Sequence, residues 1–541
     1  MASSKIAPPD DVQFNLFSEL PVGSGGPILK TAATSGRRFV TGNARAIVVG
    51  TVSLEEYLKQ ADQVDVFMVA DLLDAQDWRA FEARYAPTGR APYAPRQMLG
   101  LILYGVMQGV HSLRELERMA RLNLGCMWIT GGITPDHANV GRFIVLHEDS
   151  LSQTFFESIT ASILNATGSK STRLAGDGTV IEAACSHYNL LKKEAIMARA
   201  AAAKVAVEAG PEDAGAQREL QASAKCVDVY EQREQARKRS ARDISTLGVS
   251  PTEPEAMVQR LKRGRGKAAS YKPSVLANQS RIITALQVHA SSETKVVPAM
   301  LEQSARVVGS TPDELLLDAG YFDDGVIAET LKHDISLLCP DGKAPGTPKE
   351  SGKYHKSEFQ YDELADTYRC PAGQILLLLK KCEATKSTRA FSMYGTTACS
   401  ECPNRPQCTT MKQRRIKRHP EDEQRDALRQ VMHQPQVRQI FGQRKAMVEP
   451  VFSHLRGQQG LHRFRRRGLA AVTREFALHA IAYNLTRAVA LLRAIFCLLQ
   501  LLPEAAHTAI RRIWAVLGGF GQRNQKPDCR LKSIPAFALL N

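Results

Sequence analysis

No long uncharged apolar run interrupts this 541-residue sequence. Its most apolar stretch, "AVALLRAIFCLLQLL" (488–502), is short, carries Arg493 and ends at Pro503, so a buried helix is expected there and no membrane partner. The opening "MASSKIAPPDDVQFNLF" lacks a basic segment followed by an apolar core, so no secretory signal is expected. Without export, the eleven cysteines are expected as thiols or metal ligands and not as structural disulfides. No internal repeat recurs at solenoid spacing, which argues against a repeat array. Acidic charge is in deficit: 55 Asp and Glu stand against 71 Lys and Arg, a net +16. That balance favours a polyanionic partner.

The length suggests roughly three or four units. Residues 1–50, rich in Gly, Pro, Ser and Thr, read as a poorly ordered leader. A helical amino-terminal domain is expected over 51–165, with capping-box patterns at Ser53/Glu56 and Ser112/Glu115 and a break at Gly109. Thr134 should cap a further helix with Pro135 at its first position. Arg114, Arg118, Arg121 and Arg142 fit a DNA-binding helical module and equally a plain bundle packed on its neighbour. Strand signals then alternate with helical ones over 170–341, an α/β order. They are interrupted over 187–270 by a helical hairpin and a basic linker, "QRLKRGRGKAASYKPS". Residues 342–418 form a Cys-containing insertion, helical patterning resumes over 419–500, and 501–541 read as a tail.

Three carboxylates stand out. "LLLDAGYFDD" (315–324) is a buried-strand pattern that stops on Asp318, and "STRLAGDGTVIEAA" (171–184) frames Asp177 with Gly176 and Gly178. Sites in α/β sheets lie beyond the carboxyl ends of strands, where Asp318 falls, although Asp before such a turn also suits a helix cap. Glu449 borders the stripe Val448, Phe452, Leu455, on the same helical face as Lys445 and Arg456. Pro450 costs a helix interior about 3 kcal/mol, so that helix is expected to start near Glu449 or to kink there. Three acids on two strands and a helix can hold two Mg2+ or Mn2+ ions, hard cations that prefer oxygen. Glu182, His187 and Tyr188 near the first Asp read as structural.

Cys399 and Cys402 have the gap of a zinc knuckle, with Cys408 following after five more residues and Cys370 upstream to close a tetrahedron. Structural Zn2+ and reduced, unliganded thiols both fit this spacing. The basic runs "KQRRIKRH" and "HRFRRRG" are expected to contact phosphates, the second through Arg463, Arg465, Arg466 and Arg467.

Taken in order, "PYAPRQMLGLILYGVMQGVHSLRELER", "TPDHANVGRF", "DGTVIEAACSHYN", "LLLDAGY", "CSECPNRPQC", "VEPVFSHLRGQQGLHRFRRRGL" and "HAIAYNL" resemble the DDE transposases of bacterial insertion sequences, most of all the insertion sequence 1182 family. The resemblance implies an RNase H-like catalytic domain with the triad Asp177, Asp318 and Glu449. In related transposases an aromatic, a basic residue, the Glu and a further Lys form a spaced motif. Lys445, Glu449 and Arg456 match its last three places, and the aromatic place falls on Gly442, beside Phe441. Also implied are binding to double-stranded DNA at the element's inverted repeats, cutting and strand transfer into target DNA, a homodimer or higher assembly on DNA, and a bacterial cytoplasmic, nucleoid-associated location. A derived DNA-binding protein that no longer cuts, and a metal-dependent repair nuclease, are the competing expectations.

Overall fold

The computed structural model describes residues 30–500 except 35–36, 152, 187–188, 241–242, 262–265, 343–352 and 386–388. The first 29 residues of the expected leader, His187 and Tyr188, and the expected tail thus lie outside the described residues.

In "RLAGDG", "KAASYKPSVLAN" and "ITALQVH" nearly every residue is buried, as strands covered on both faces require. They belong to a seven-stranded sheet: β1 (Arg173–Gly178), β2 (Ile181–Glu182), β3 (Met257–Arg260), β4 (Lys267–Asn278), β5 (Ile283–His289), β6 (Glu314–Leu316) and β7 (Ser336–Leu338). β7, β6 and β1 run parallel; β4 lies antiparallel to β1, and β5 antiparallel to β4. Side chains alternate between two cores, because successive residues of a strand point to opposite faces. Ala175, Val275 and Leu316 face one core, together with α2 (Pro435–Gly457) and α3 (Leu469–Gln500). Leu174, Leu276, Leu315 and Leu317 face the other, with α1 (Val297–Val308).

The amino-terminal helices share the first of these cores, so they are a layer of the same body. Ser53 and Ser112 cap their helices as expected, Ser112 with the reciprocal bond from Glu115. Three local expectations are corrected. Residues 30–53 form two short antiparallel hairpins, the second turning on Gly50 at φ 64°, a conformation glycine adopts without strain. Asp136, and not Thr134, caps the helix His137–Leu146, because its side chain reaches the Asn139 N–H. The basic linker is largely a hairpin of β3 and β4, whose charged side chains suit an exposed edge strand.

Between β2 and β3 stands a helical hairpin, Lys193–Ala209 and Ala214–Arg239, with its own small core around Ile196, Cys226 and Tyr230. The Cys-containing segment is a five-stranded antiparallel sheet of β8 (Gln360–Asp362), β9 (Thr367–Arg369), β10 (Ile375–Cys382), β11 (Phe391–Gly395) and β12 (Arg415–Arg418). Its core is Phe359, Tyr368, Leu376, Tyr394 and Ile416. Helix α2 does not begin near Glu449: it spans 23 residues with Pro450 inside it, held by the burial of Met447, Val448, Val451 and Leu455. α3 is long and apolar enough to cross a membrane by length and composition. Here Phe476, Ile481 and Leu485 are buried in the common core, and buried Asn484 bonds the backbone of Ile283 at 2.9 Å.

Candidate active site

β1 and β6 are parallel neighbours in which Leu316 pairs with Ala175. Two residues further on, that register brings Asp318 level with Asp177 at one edge of the sheet. Even-spaced from Ala175 and Leu316, both carboxylates point to the face covered by α2. There the Arg444 Nη2 lies 3.2 Å from Asp177 Oδ1 and 3.7 Å from Asp318 Oδ2, so the two acids converge on one cation. Arg444 is buried and also donates to the Gly176 carbonyl at 3.1 Å.

Asp318 is a cap, as one of its two readings expected, and has a second oxygen to spare. Its Oδ1 accepts from the Gly320 N–H at 2.9 Å, capping a short turn, while Oδ2 faces Arg444. Asp177 Oδ1 likewise accepts from the Gly178 N–H at 2.9 Å. These bonds fix each carboxylate's orientation before any ligand arrives.

Glu449 is exposed on α2, about one and a half turns beyond Arg444. Seven residues on, Arg456 donates to Thr179 Oγ1 and, at 3.2 Å, to the Val180 carbonyl, directly after β1. Glu449 therefore lies on a helix anchored at the β1 edge on both sides of it, but it does not join the Arg444 cluster. Among the described residues no three His, Cys, Asp or Glu side chains are gathered as a metal's ligand set.

Lys445, at the basic place of the motif, is exposed, and its buried neighbour Arg444 is the residue that reaches the two aspartates. The signal lay in the apolar stripe: Arg444, Val448, Val451 and Leu455 follow helical spacing on the buried side. The run 462–468 is also only partly open. Arg463 donates to the Ala183 and Cys185 carbonyls at 3.0 and 2.6 Å, and Arg467 to the Ala184 carbonyl at 3.2 Å, which anchors both guanidinium groups to the chain after β2. The backbone N–H groups of Arg465 and Arg466 are held by buried Glu475, while their guanidinium groups donate no hydrogen bond among the described residues.

Cys370, Cys399, Cys402 and Cys408 line one small cavity of the β8–β12 sheet. Burial pushes the Cys408 thiol up, Arg414 pulls it down, and the other three sulfurs push it up again. All ten cysteines among the described residues are unbridged.

Two families match the chain. One, described as a transposase DDE domain, covers residues 369–489, taking in the cysteine cluster, α2 with Glu449, and most of α3. The other, described as a transposase domain (DUF772), covers residues 53–145, the amino-terminal helices. β1 and β6, which carry Asp177 and Asp318, lie outside both matches. No curated protein and no solved structure matches the chain. A transposase domain at each end of the folded body indicates a transposase, and the matches support one of the DDE kind.

Proposed function

We propose that this chain is the transposase of an insertion sequence similar to the 1182 family, binding the element's terminal inverted repeats and catalysing metal-dependent strand cleavage and strand transfer. The observation that carries this reading is the convergence of Asp177 and Asp318 on one cation at the ends of adjacent parallel strands. The strand sequence β5, β4, β1, β6, β7 across the sheet, with helices on both faces, supports an RNase H-like catalytic domain.

The donor set fits a hard divalent cation: carboxylate oxygens, already oriented by backbone N–H groups, at a sheet edge. Asp177, Asp318 and Glu449 would hold Mg2+ or Mn2+, which when bound activates the attacking oxygen and stabilises the leaving one. Lys445, on the face of Glu449, and the open Arg465 and Arg466 would grip the phosphates of double-stranded DNA, element ends and target alike, while Arg456 would hold α2 to the β1 edge. Joining two ends calls for at least a homodimer on DNA, acting at the bacterial nucleoid in the cytoplasm. The four thiols sharing a cavity would hold a structural Zn2+, for which thiolates are suited ligands.

Labelled DNA carrying the gene's own flanking ends, incubated with Mg2+ or Mn2+, tests the reading. Wild type should cut at the element boundary, and Asp177→Asn should lose at least about a thousandfold in rate, a barrier increase of about 4 kcal/mol. End binding without cuts by folded wild type would point to a DNA-binding protein that no longer cleaves. Elemental analysis of protein kept reduced should find one zinc per chain; metal-free protein would remove the zinc assignment.

A further inference from the structure

On the opposite face of the sheet from Arg444, one more acid reaches the same edge. Glu293 stands between β5 and α1, at the start of the short turn Thr294–Val296. A Cβ placed on Gly178, the residue after Asp177, would lie only 2.8 Å from Glu293 Cγ and 3.0 Å from its carboxyl carbon. A Cβ placed on Gly320 would lie 3.0 Å from Asp318 Oδ1 and 3.7 Å from Glu293 Oε2. Two glycines thus leave the room through which Glu293 approaches the backbone beside both aspartates. Gly178 is not needed here for its backbone freedom, since its φ is not positive. It is needed for space.

A second observation points into the same place. The Tyr321 and Ser274 hydroxyls are both fully buried and near each other, and neither bonds any other group among the described residues. Burial pushes the Tyr321 phenol up, Glu293 adds to this, Ser274 opposes it, and Asp177 and Asp318 push it further. Buried hydroxyls are costly to leave unpaired, and three carboxylates surround this one. A bound ion and its water would give such groups partners.

Resting on the metal-dependent reading above, we infer that Glu293 is a fourth acidic residue of the site, reaching from the opposite face the divalent cation that Asp177 and Asp318 hold at the sheet edge, with Gly178 and Gly320 leaving room for its side chain. Two cations of the chain now neutralise these acids: Arg444 on one face and, on the other, Lys272, whose Nζ is 2.9 Å from Glu293 Oε1. A bound metal ion has to compete with both. The Lys272–Glu293 pair is largely covered, at 24% and 20% side-chain exposure.

Mn2+ titrated into the full-length protein, with the free ion read by electron paramagnetic resonance, separates the possibilities. Glu293→Gln should weaken Mn2+ binding at least about tenfold. Asp177→Asn should weaken it at least as much, and Lys272→Met should leave it unchanged or tighter. Glu293→Gln binding like wild type while Asp177→Asn fails would overturn the role of Glu293 and leave the metal-dependent reading standing. Wild type and Asp177→Asn binding alike would overturn both. Equal weakening by Glu293→Gln and Lys272→Met would make the pair a structural one and also overturn the inference. Should Glu293→Gln misfold, as its circular dichroism would reveal, Glu293→Asp replaces it, with several-fold weaker binding expected and wild-type binding the contrary result.

Discussion

Strand β12 and the loop 462–468 are both basic runs, yet they divide their charge differently. Along β12 side chains alternate: Arg415 and Lys417 are exposed, while Arg418 turns inward, 3.6 Å from the Tyr361 ring centre and 2.8 Å from Asp426. In the loop Arg463, Arg465 and Arg467 are all exposed around buried Phe464, and hydrogen bonding separates them. Arg463 and Arg467 bind carbonyls, Glu475 grips the backbone between them, and the Arg465 and Arg466 side chains make no such bond among the described residues. A count of positive residues therefore overstates the cationic groups left unanchored in either run, and the local backbone decides by how much.

Substitutions can break this comparison. The largest effect is expected from Arg418→Ala, which leaves Asp426 with Arg429 alone and strips Tyr361 of its cation; urea unfolding should show a loss of about 2 kcal/mol. A smaller effect comes from pH. Burial, with His111 and Arg465 adding, pushes His479 from 6.5 down to about 3. Only the unfolded chain takes up that proton between those values, so this contribution is complete above pH 6.5 and is lost as pH falls toward 3. Between pH 6.5 and 5, wild type should lose stability more steeply than His479→Gln, by about 1.4 kcal/mol per pH unit. Arg463→Gln should cost about 1 kcal/mol and leave the salt dependence of DNA binding unchanged. The least disruptive change is Arg465→Gln with Arg466→Gln: no measurable loss of stability, but a slope of log affinity against log salt shallower by about 2. Equal slopes for these two sets would erase the distinction between anchored and open arginines.

The placement of Asp177 and Asp318 at one sheet edge was legible in the sequence because each ends a buried-strand pattern beside glycine, although Asp318 also read as the cap it proves to be. Arg444 was not, since Lys445 matches the expected motif spacing and one residue on a helix turns a side chain by about 100°. Glu293 carried no signal at all: "SSETK" reads as an ordinary polar connection, and its position depends on Gly178, distant in sequence and adjacent only through the sheet. The hairpins at 30–53 and 257–278 were hidden by composition, which reports solvent exposure more directly than strand pairing.

The path of the chain also sets when the edge carrying Asp177 and Asp318 is completed. β1, β4, β5 and β6 can pair as soon as they have all been synthesised, and at that stage Asp177 and Asp318 repel each other. Their countercharge, Arg444, arrives with α2 on the order of 100 residues later, in step with domain-wise folding during translation. The charge of the two aspartates is therefore unopposed from this side until α2 has been made, and a chain cut short upstream of α2 would carry the aspartates without the helix that opposes them.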